Sequence, residues 1–312
     1  VFGASRAGAI MENPLEEFLL QTRRKPPIEQ SEDMEVGSLM EPVVLEMYVR
    51  RSGNCIKTGL PLHFHGEYSF MAATPDAIGF PRANPLVDSH DPKAFLPMEW
   101  GVDAKTSTDR MFLKDATAED TNKYGQEGTD LVPDYTLWQM QQQCAVFGFQ
   151  FVDVPVLFGR HYRGYRVHRD ETLIDALVSA EKELAERILA DDPPEPNFQH
   201  PRTRECLRAL YGLQQGTSIV LSDENFERWV GVQRRKQEVK DLEAEIAEAT
   251  NHVLAEMADA ELAIMPAGSK AIKRIVVKDS LWAQKDIDEA VAKLGTTKRA
   301  GHEQLREVKV TN

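Results

Sequence analysis

Two apolar runs in this chain each break off at an acidic residue, and this pattern restricts the fold more than any other feature of its 312 residues. Phe70 to Ala73 leads into Thr74-Pro75-Asp76, and Pro97 to Val102 leads into Asp103-Ala104-Lys105. Both runs read as strand ends. Side chains i and i+2 of a strand share a face, so Asp103 and Lys105 point the same way. Pro75 and Gly79 read as a turn signal around Asp76. Pairing of the two strands would gather two carboxylates and an ammonium at one spot. Mg²⁺ is usually held by one or two carboxylates together with phosphate and water. A lysine beside it can orient or activate the attacking water and offset charge that develops in phosphoryl transfer. Taken alone, the triplet also fits a turn aspartate and a strand-edge lysine.

With 42% hydrophobic residues the chain can bury one large core or two. Charged residues make up 28%, and no apolar run is long enough to span a bilayer, so a soluble protein without a membrane partner is expected. No signal peptide or lipidation motif stands out. Cys55, Cys144 and Cys206 are widely spaced, which fits a reducing compartment and argues against structural zinc or an iron–sulfur cluster. A formal net charge of −13 looks wrong for a nucleic-acid binder. Local fields, however, decide where phosphates bind.

The chain begins at Val1, without Met. Gly3 to Met11 reads as the start of a helix with Ser5 near its N-cap, where a hydroxyl either caps or holds a phosphate. A nucleophile elbow is rejected there, because position 7 is Ala and no strand is expected before it. A short helix follows Asn13-Pro14. The spacing of Leu39, Met40, Val43, Val44, Met47 and Tyr48 predicts an amphipathic helix from Gly37 to Gly53, with Glu41 early in it and a candidate for a place beside the metal. His63-x-His65-Gly-Glu67 lacks further ligands at convincing spacing and reads as strand surface or loop contacts. Lys114, Asp115, Asp120, Lys123 and Gly125 lie in a stretch that reads as a mobile loop. Pro133 and Asp134 open a helix from Tyr135 to Phe147, with Leu137, Met140, Cys144 and Phe147 as its buried stripe. Gln139, Gln141, Gln142 and Gln143 on that helix either face solvent or line a site; Gln139 and Gln143 share a face. Phe151 to Phe158 is a strand whose Pro155 suggests an edge or a bulge.

Arg160, Arg163 and Arg166 alternate with Tyr162 and Tyr165, which reads either as a phosphate-tracking surface with stacking rings or as a plain exposed hairpin. Glu171 to Leu189 is an amphipathic helix, ended by the Pro-rich Asp191 to Pro196, which begins a linker. A long helix from Ser222 to Met257 repeats Val232, Val239, Ile246 and Val253 every seven residues, a heptad seam with acid on its outer faces. A strand (Ile272 to Val277), a short helix (Asp286 to Leu294) and a last strand (Leu305 to Val310) are expected beyond it. The expected division is a core of residues 1–215 and a C-terminal part of residues 216–312.

Several motifs occur in order: Gly3 to Ser5, Gly37 to Pro42 (G-x-x-x-E-P), Ala73 to Gly79 (ATPDAIG), Asp103 to Ser107 (DAKTS), Trp138 to Gln143 (WQMQQQ) and Leu207 to Tyr211. In this the chain resembles the YqaJ-type viral recombinases, the phage λ exonuclease branch of the PD-(D/E)xK nuclease superfamily. The resemblance implies an α/β fold, a mixed central β-sheet flanked by helices, here with a C-terminal extension of one long helix and a small β/α element. It implies that Asp76 and Asp103 ligate Mg²⁺, for which Mn²⁺ could substitute, with the Ala104 carbonyl and Glu41 assisting. Lys105 would position the water nucleophile. Gln139 would stand beside the site with Gln141 or Gln143 as a partner, and Ser5 would help hold a 5′-phosphate. Arg6 occupies a place where an acidic residue is frequent. Together with Gln143, Arg160, Arg163 and Arg166 it completes the expected phosphate contacts.

The implied activity is 5′-to-3′ exonucleolysis of duplex DNA ends. The implied setting is a ring-shaped homotrimer partnered with a single-strand annealing protein, in the cytoplasm of a bacterial host carrying phage or prophage genes. Two rivals are an endonuclease of the same superfamily and a non-catalytic DNA-binding or assembly protein.

Overall fold

The structure is a computed structural model that describes residues 1–82, 99–108, 122–212, 215–264 and 271–273. It divides into two compact units, Val1–Gly216 and Thr217–Asn312.

The first unit is built on a mixed sheet. β5 (Ala77–Phe80), which follows Asp76, runs antiparallel to β6 (Trp100–Val102) with Ala77 opposite Val102. The run before Asp76 pairs elsewhere: β4 (Met71–Ala73) lies between β1 (Phe2–Gly3) and β3 (His63–Phe64) in a separate three-stranded sheet. Asp76 therefore sits where the chain crosses from one sheet to the other. Gly79 is inside β5 and belongs to no turn. A Cβ there would come within 2.6 Å of the Trp100 indole Cε2, so only glycine allows this approach. β1 also corrects the expectation that no strand precedes Ser5.

β2 (Cys55–Thr58) pairs antiparallel with β5. β6 and β7 (Lys105–Ser107) both run parallel to β8 (Phe151–Phe158), and β9 (His161–His168) returns antiparallel along the other edge of β8. β8 is thus interior, and all of its residues are buried, which accounts for its apolar character apart from Asp153. Pro155 lies inside the sheet, where the sequence suggested an edge or a bulge, and the irregularity falls on the partner strand. Val102 pairs with Asp153 and Lys105 with Val156, so Ala104 stands level with Pro155. The Asp103 N–H donates to the Asp153 carbonyl at 3.0 Å. The next parallel-ladder donor, to the Asp103 carbonyl, would be the N–H of residue 155, which proline lacks.

One face of the sheet is covered by α3 (Glu32–Ser52), capped by Ser31, whose Oγ accepts from the Met34 N–H at 3.2 Å, and stopped at Gly53 with φ +72°. It starts well before Gly37, so Glu41 lies near its middle. Val44, Leu45 and Tyr48 are its buried residues, while Leu39 and Val43 of the expected stripe are exposed.

α4 (Asp134–Phe147) and α5 (Glu171–Ala190) cover the other face, packing Met140, Cys144 and Leu177 in one core with Val152, Val154 and Val156. After α5, the Pro-rich segment leads to α6 (Thr203–Leu210) within the same unit. Its Cys206 is buried in one cluster with Phe18 and Leu19 of α2 (Pro14–Gln21). Arg202 and Lys25 converge there on the buried Glu16. The segment is therefore a connection within the first unit.

In the second unit, α7 (Asp223–Met257) is capped by Ser222, and β10 (Leu262–Ile264) pairs antiparallel with β11 (Ala271–Lys273). The expected helix at Asp286 to Leu294, the strand at Leu305 to Val310, and Lys114, Asp115 and Asp120 lie outside the described residues. Among those described, no helix is long and apolar enough to cross a membrane.

Candidate active site

Asp76, Asp103 and Lys105 meet at the break between β6 and β7. The Ala104 N–H, which faces away from β8, donates to Asp76 Oδ2 at 2.7 Å. Lys105 forms an ion pair with Asp103 Oδ1, a buried oxygen that this ammonium alone holds among the described residues. Asp103 and Lys105 thus share a face, while Ala104 between them points its N–H at the second carboxylate.

α4 fixes the other side of Asp103. Gln139 and Gln143, one turn apart, donate from Nε2 to Asp103 Oδ2 at 3.2 and 2.6 Å. Gln143 is fully buried in this bond, which corrects its expected place among the phosphate contacts. The remaining two glutamines fasten the scaffold. Gln142 donates to the carbonyls of Phe2 and Ala72, at 2.9 and 3.0 Å, tying β1 and β4 to the helix. Gln141 donates to the His168 carbonyl at 2.7 Å and accepts the Asp170 N–H at 2.9 Å, which secures the start of α5. It is 1% exposed and is a structural bridge, with no contact to the acidic pair.

The electrostatics follow from crowding acid in a dry place. Burial, then the neighbouring Asp103, raise the Asp76 carboxyl well above the usual carboxylate range, and Glu41 adds to this; Lys105 and the Ala104 N–H oppose it. Burial disfavours the Lys105 ammonium, but Asp103 and Asp76 outweigh burial and raise its pKa. Tyr135, at the start of α4, also acts on that charge. Nothing in the sequence singled Tyr135 out except its place one residue inside the helix.

Among the described residues no three Asp, Glu, His or Cys side chains converge as a metal cluster. The donors at hand are the Asp76 and Asp103 pair, with Glu41 near enough to be felt. Among the described residues, one oxygen of Asp103 is engaged by amides and the other faces only a cation. That donor set fits a hard divalent ion completed by water and phosphate.

The expected phosphate contacts are dispersed. Ser5 is exposed on a 3-10 turn (Ala4–Arg6) that packs beside α4 and β4, and it caps no helix. Arg6 is bound to buried Glu17 at 2.6 Å. Arg166 makes two bonds to Asp153, at 2.7 and 3.0 Å, and lies over the Phe151 ring. Arg163 donates to the Tyr162 carbonyl, and Arg160 is exposed at the β8–β9 turn. Tyr162 and Tyr165 are 6% and 3% exposed, so neither ring is open for base stacking. His65 is likewise engaged locally, its Nδ1 accepting the N–H groups of Glu67 and Tyr68.

Behind the site, on the α3 face, the Trp100 indole donates to the Tyr48 hydroxyl at 2.9 Å, and Tyr48 donates to Asp153 Oδ2 at 2.7 Å. Asp153 is the residue whose carbonyl receives the Asp103 N–H, so this buried chain of bonds steadies the strand pair that carries the site.

Comparison with known proteins agrees in family. Residues 1–150 match the model of the YqaJ-like viral recombinase domain. The protein YqaJ of Bacillus subtilis (strain 168) is 24% identical over 270 residues, 83% of this chain and 76% of that one. Among solved structures, the alkaline exonuclease LHK-Exo from Laribacter hongkongensis aligns with a TM-score of 0.41 at 19% identity, over 61% of this chain and 89% of that one. A phage-related exonuclease from Haemophilus somnus 129PT aligns with a TM-score of 0.40 at 15% identity, over 59% and 82%. Residues 1–150, which contain Asp76, Asp103, Lys105 and the glutamine helix, are thus similar to the YqaJ-like viral recombinase domain.

Proposed function

We propose that this protein is a metal-dependent deoxyribonuclease that resects duplex DNA ends 5′ to 3′. The observation that supports this most is the convergence of Asp76, Asp103 and Lys105 at one strand break, with Gln139 and Gln143 holding Asp103 from behind. In this reading Asp76 and Asp103 hold Mg²⁺, with Mn²⁺ as a substitute, and Glu41 and the Ala104 carbonyl assist. Bound there, the ion would lower the pKa of a coordinated water and neutralise charge on the phosphate. Lys105, drawn to Asp103, is placed to orient that water, and Tyr135 stands close enough to influence it. Ser5 and Arg160 are the exposed candidates for the phosphate backbone. The resected strand would be passed to a single-strand annealing protein, and the enzyme would work as a ring-shaped homotrimer.

A 5′-labelled linear duplex and a covalently closed circle, each incubated with Mg²⁺ or with EDTA, test the proposal. The expected outcome is Mg²⁺-dependent release of nucleotides from the linear DNA alone. Lys105→Ala should retain the fold and DNA binding and lose hydrolysis by at least about 10²-fold, the scale of a single electrostatic or acid–base contribution. Cleavage of the closed circle would turn the reading to an endonuclease. Full turnover by Lys105→Ala would remove that residue's role.

A further inference from the structure

α7 carries an apolar seam that nothing among the described residues of its unit covers: Val232, Val239, Leu242, Ile246 and Val253 are 39–66% exposed. Ordinary surface helices bury such a stripe. The seam keeps a heptad spacing, with Val232, Val239, Ile246 and Val253 at the first position of each repeat and Arg235, Leu242 and Ala249 at the fourth. We propose that α7 pairs with α7 of a second copy of this chain as an antiparallel coiled coil, a contact independent of the nuclease reading.

The charges choose the direction. Arg234, Arg235 and Lys236 make the middle of the helix basic, and Asp241, Glu243, Glu245 and Glu248 make the following turns acidic. No ion pair within the chain engages Arg235, Glu243 or Glu245 among the described residues, so their charges are available to a partner. A parallel pair would stack Arg235 on its own copy inside the seam and set Glu238 beside Glu243, with no opposite charge in reach. The antiparallel register that places Val239 against Leu242 also places Val232 against Ala249 and Arg235 against Ile246, next to Glu245. On one flank it sets Lys236 opposite Glu243, twice by symmetry. On the other flank Glu238 faces Glu245, a like-charge cost that the parallel pair matches with Glu238 beside Glu243. Only the antiparallel register therefore adds attraction and spares the buried arginine stack.

Cysteine cross-linking of the full chain tests this. In the proposed register residue 253 lies across from residue 228, while two copies of residue 253 are about 37 Å apart at 1.5 Å per residue. Mixing Val253→Cys with Arg228→Cys chains under mild oxidation should give about tenfold more disulfide dimer than Val253→Cys alone, since Cα atoms beyond about 7 Å cannot be bridged. The unsubstituted chain corrects for the half-buried Cys55. Ile246→Glu in the mixed pair should abolish the product. Equal dimer from Val253→Cys alone would mean a parallel pair, and no product above the control would mean the seam is covered otherwise. Either result overturns the proposal.

Discussion

Ala104 stands level with Pro155, and the ladder between their strands is open at that step. A proline in an interior strand normally costs a hydrogen bond with no return. Here the missing N–H leaves the Asp103 carbonyl without its ladder donor, while the adjoining Ala104 N–H, on the opposite edge of the strand, donates to Asp76. Pro155→Ala offers the donor back. The restored N–H would draw the Asp103 carbonyl toward β8 and shift the backbone that carries Asp103 and Lys105. We expect stability to change by no more than about 1 kcal/mol, because one net hydrogen bond gained offsets the lost restraint on the unfolded chain. Hydrolysis should fall roughly tenfold, equivalent to about 1.4 kcal/mol of misplacement. Urea unfolding and end-labelled DNA turnover measured on the same preparation check both halves.

Asp76 is where the site stores its instability. Its carboxyl titrates higher in the folded protein than in the unfolded chain, because burial and then Asp103 disfavour the charge. Between those two values the folded state keeps a proton that the unfolded state releases, so stability falls as pH rises through the interval. Asp76→Asn removes the penalty. Without metal it should stabilise the protein at pH 8 by about 1–3 kcal/mol, since each tenfold gain in proton affinity on folding is worth about 1.4 kcal/mol, and have little effect near pH 4. The same variant should lose hydrolysis and lose any rise in melting temperature on adding Mg²⁺. Thermal unfolding across pH, with and without Mg²⁺, distinguishes this from a variant that is merely misfolded.

What the sequence revealed, and what it hid, divides along physical lines. Period-2 spacing put Asp103 and Lys105 on one face, and the acid-ending runs marked the site, because these depend on local geometry. The glutamines of α4 were conspicuous, but their assignment needed three dimensions. Gln139 and Gln143 reach Asp103, whereas Gln141 and Gln142 satisfy carbonyls of strands far away in sequence. A buried polar side chain is acceptable only when its bonds are made, and those partners come from tertiary packing. The same limit explains Tyr162 and Tyr165. Their interleaving with arginines resembled a binding surface, yet both faces of β9 are covered, one by α3 and the other by the α4 core, so alternation did not mean exposure. Gly79 looked like punctuation because a glycine needed for close approach and one needed for a turn are identical in sequence.

Gly79 itself can be tested. The Trp100 indole lies against it and is 4% exposed, with its N–H bound to Tyr48. A methyl group there must displace the ring or the strand. Gly79→Ala should therefore destabilise by about 1–3 kcal/mol, the usual cost of overpacking a filled core, in spite of alanine's smaller unfolded-state entropy. A red shift of Trp fluorescence in the folded protein, together with a lower urea midpoint, is the expected signature. Since Trp100 begins the strand that leads into Asp103, turnover should drop as well.

Glu181 offers a pH dependence remote from the site. It lies on α5, fully buried, and neither of its oxygens has a hydrogen-bond partner among the described residues. Burial raises its carboxyl to about 8, and Glu17 of α2 adds to the rise. The folded form therefore holds this proton from the ordinary carboxyl range up to about pH 8, while the unfolded chain gives it up, so stability should decline across that window and level off above it. Glu181→Gln keeps the shape and cannot ionise. Its effect should stay under about 1 kcal/mol at pH 4–5, where Glu181 is protonated in the folded state and the unfolded carboxyl is only beginning to ionise. At pH 9 it should stabilise the protein by several kcal/mol, because the two states then differ in proton affinity by several powers of ten at about 1.4 kcal/mol each. Melting curves of the two proteins at pH 5, 7 and 9 should diverge steadily toward alkaline pH. Parallel curves would mean that the carboxylate finds a partner or water in solution and carries no stored cost.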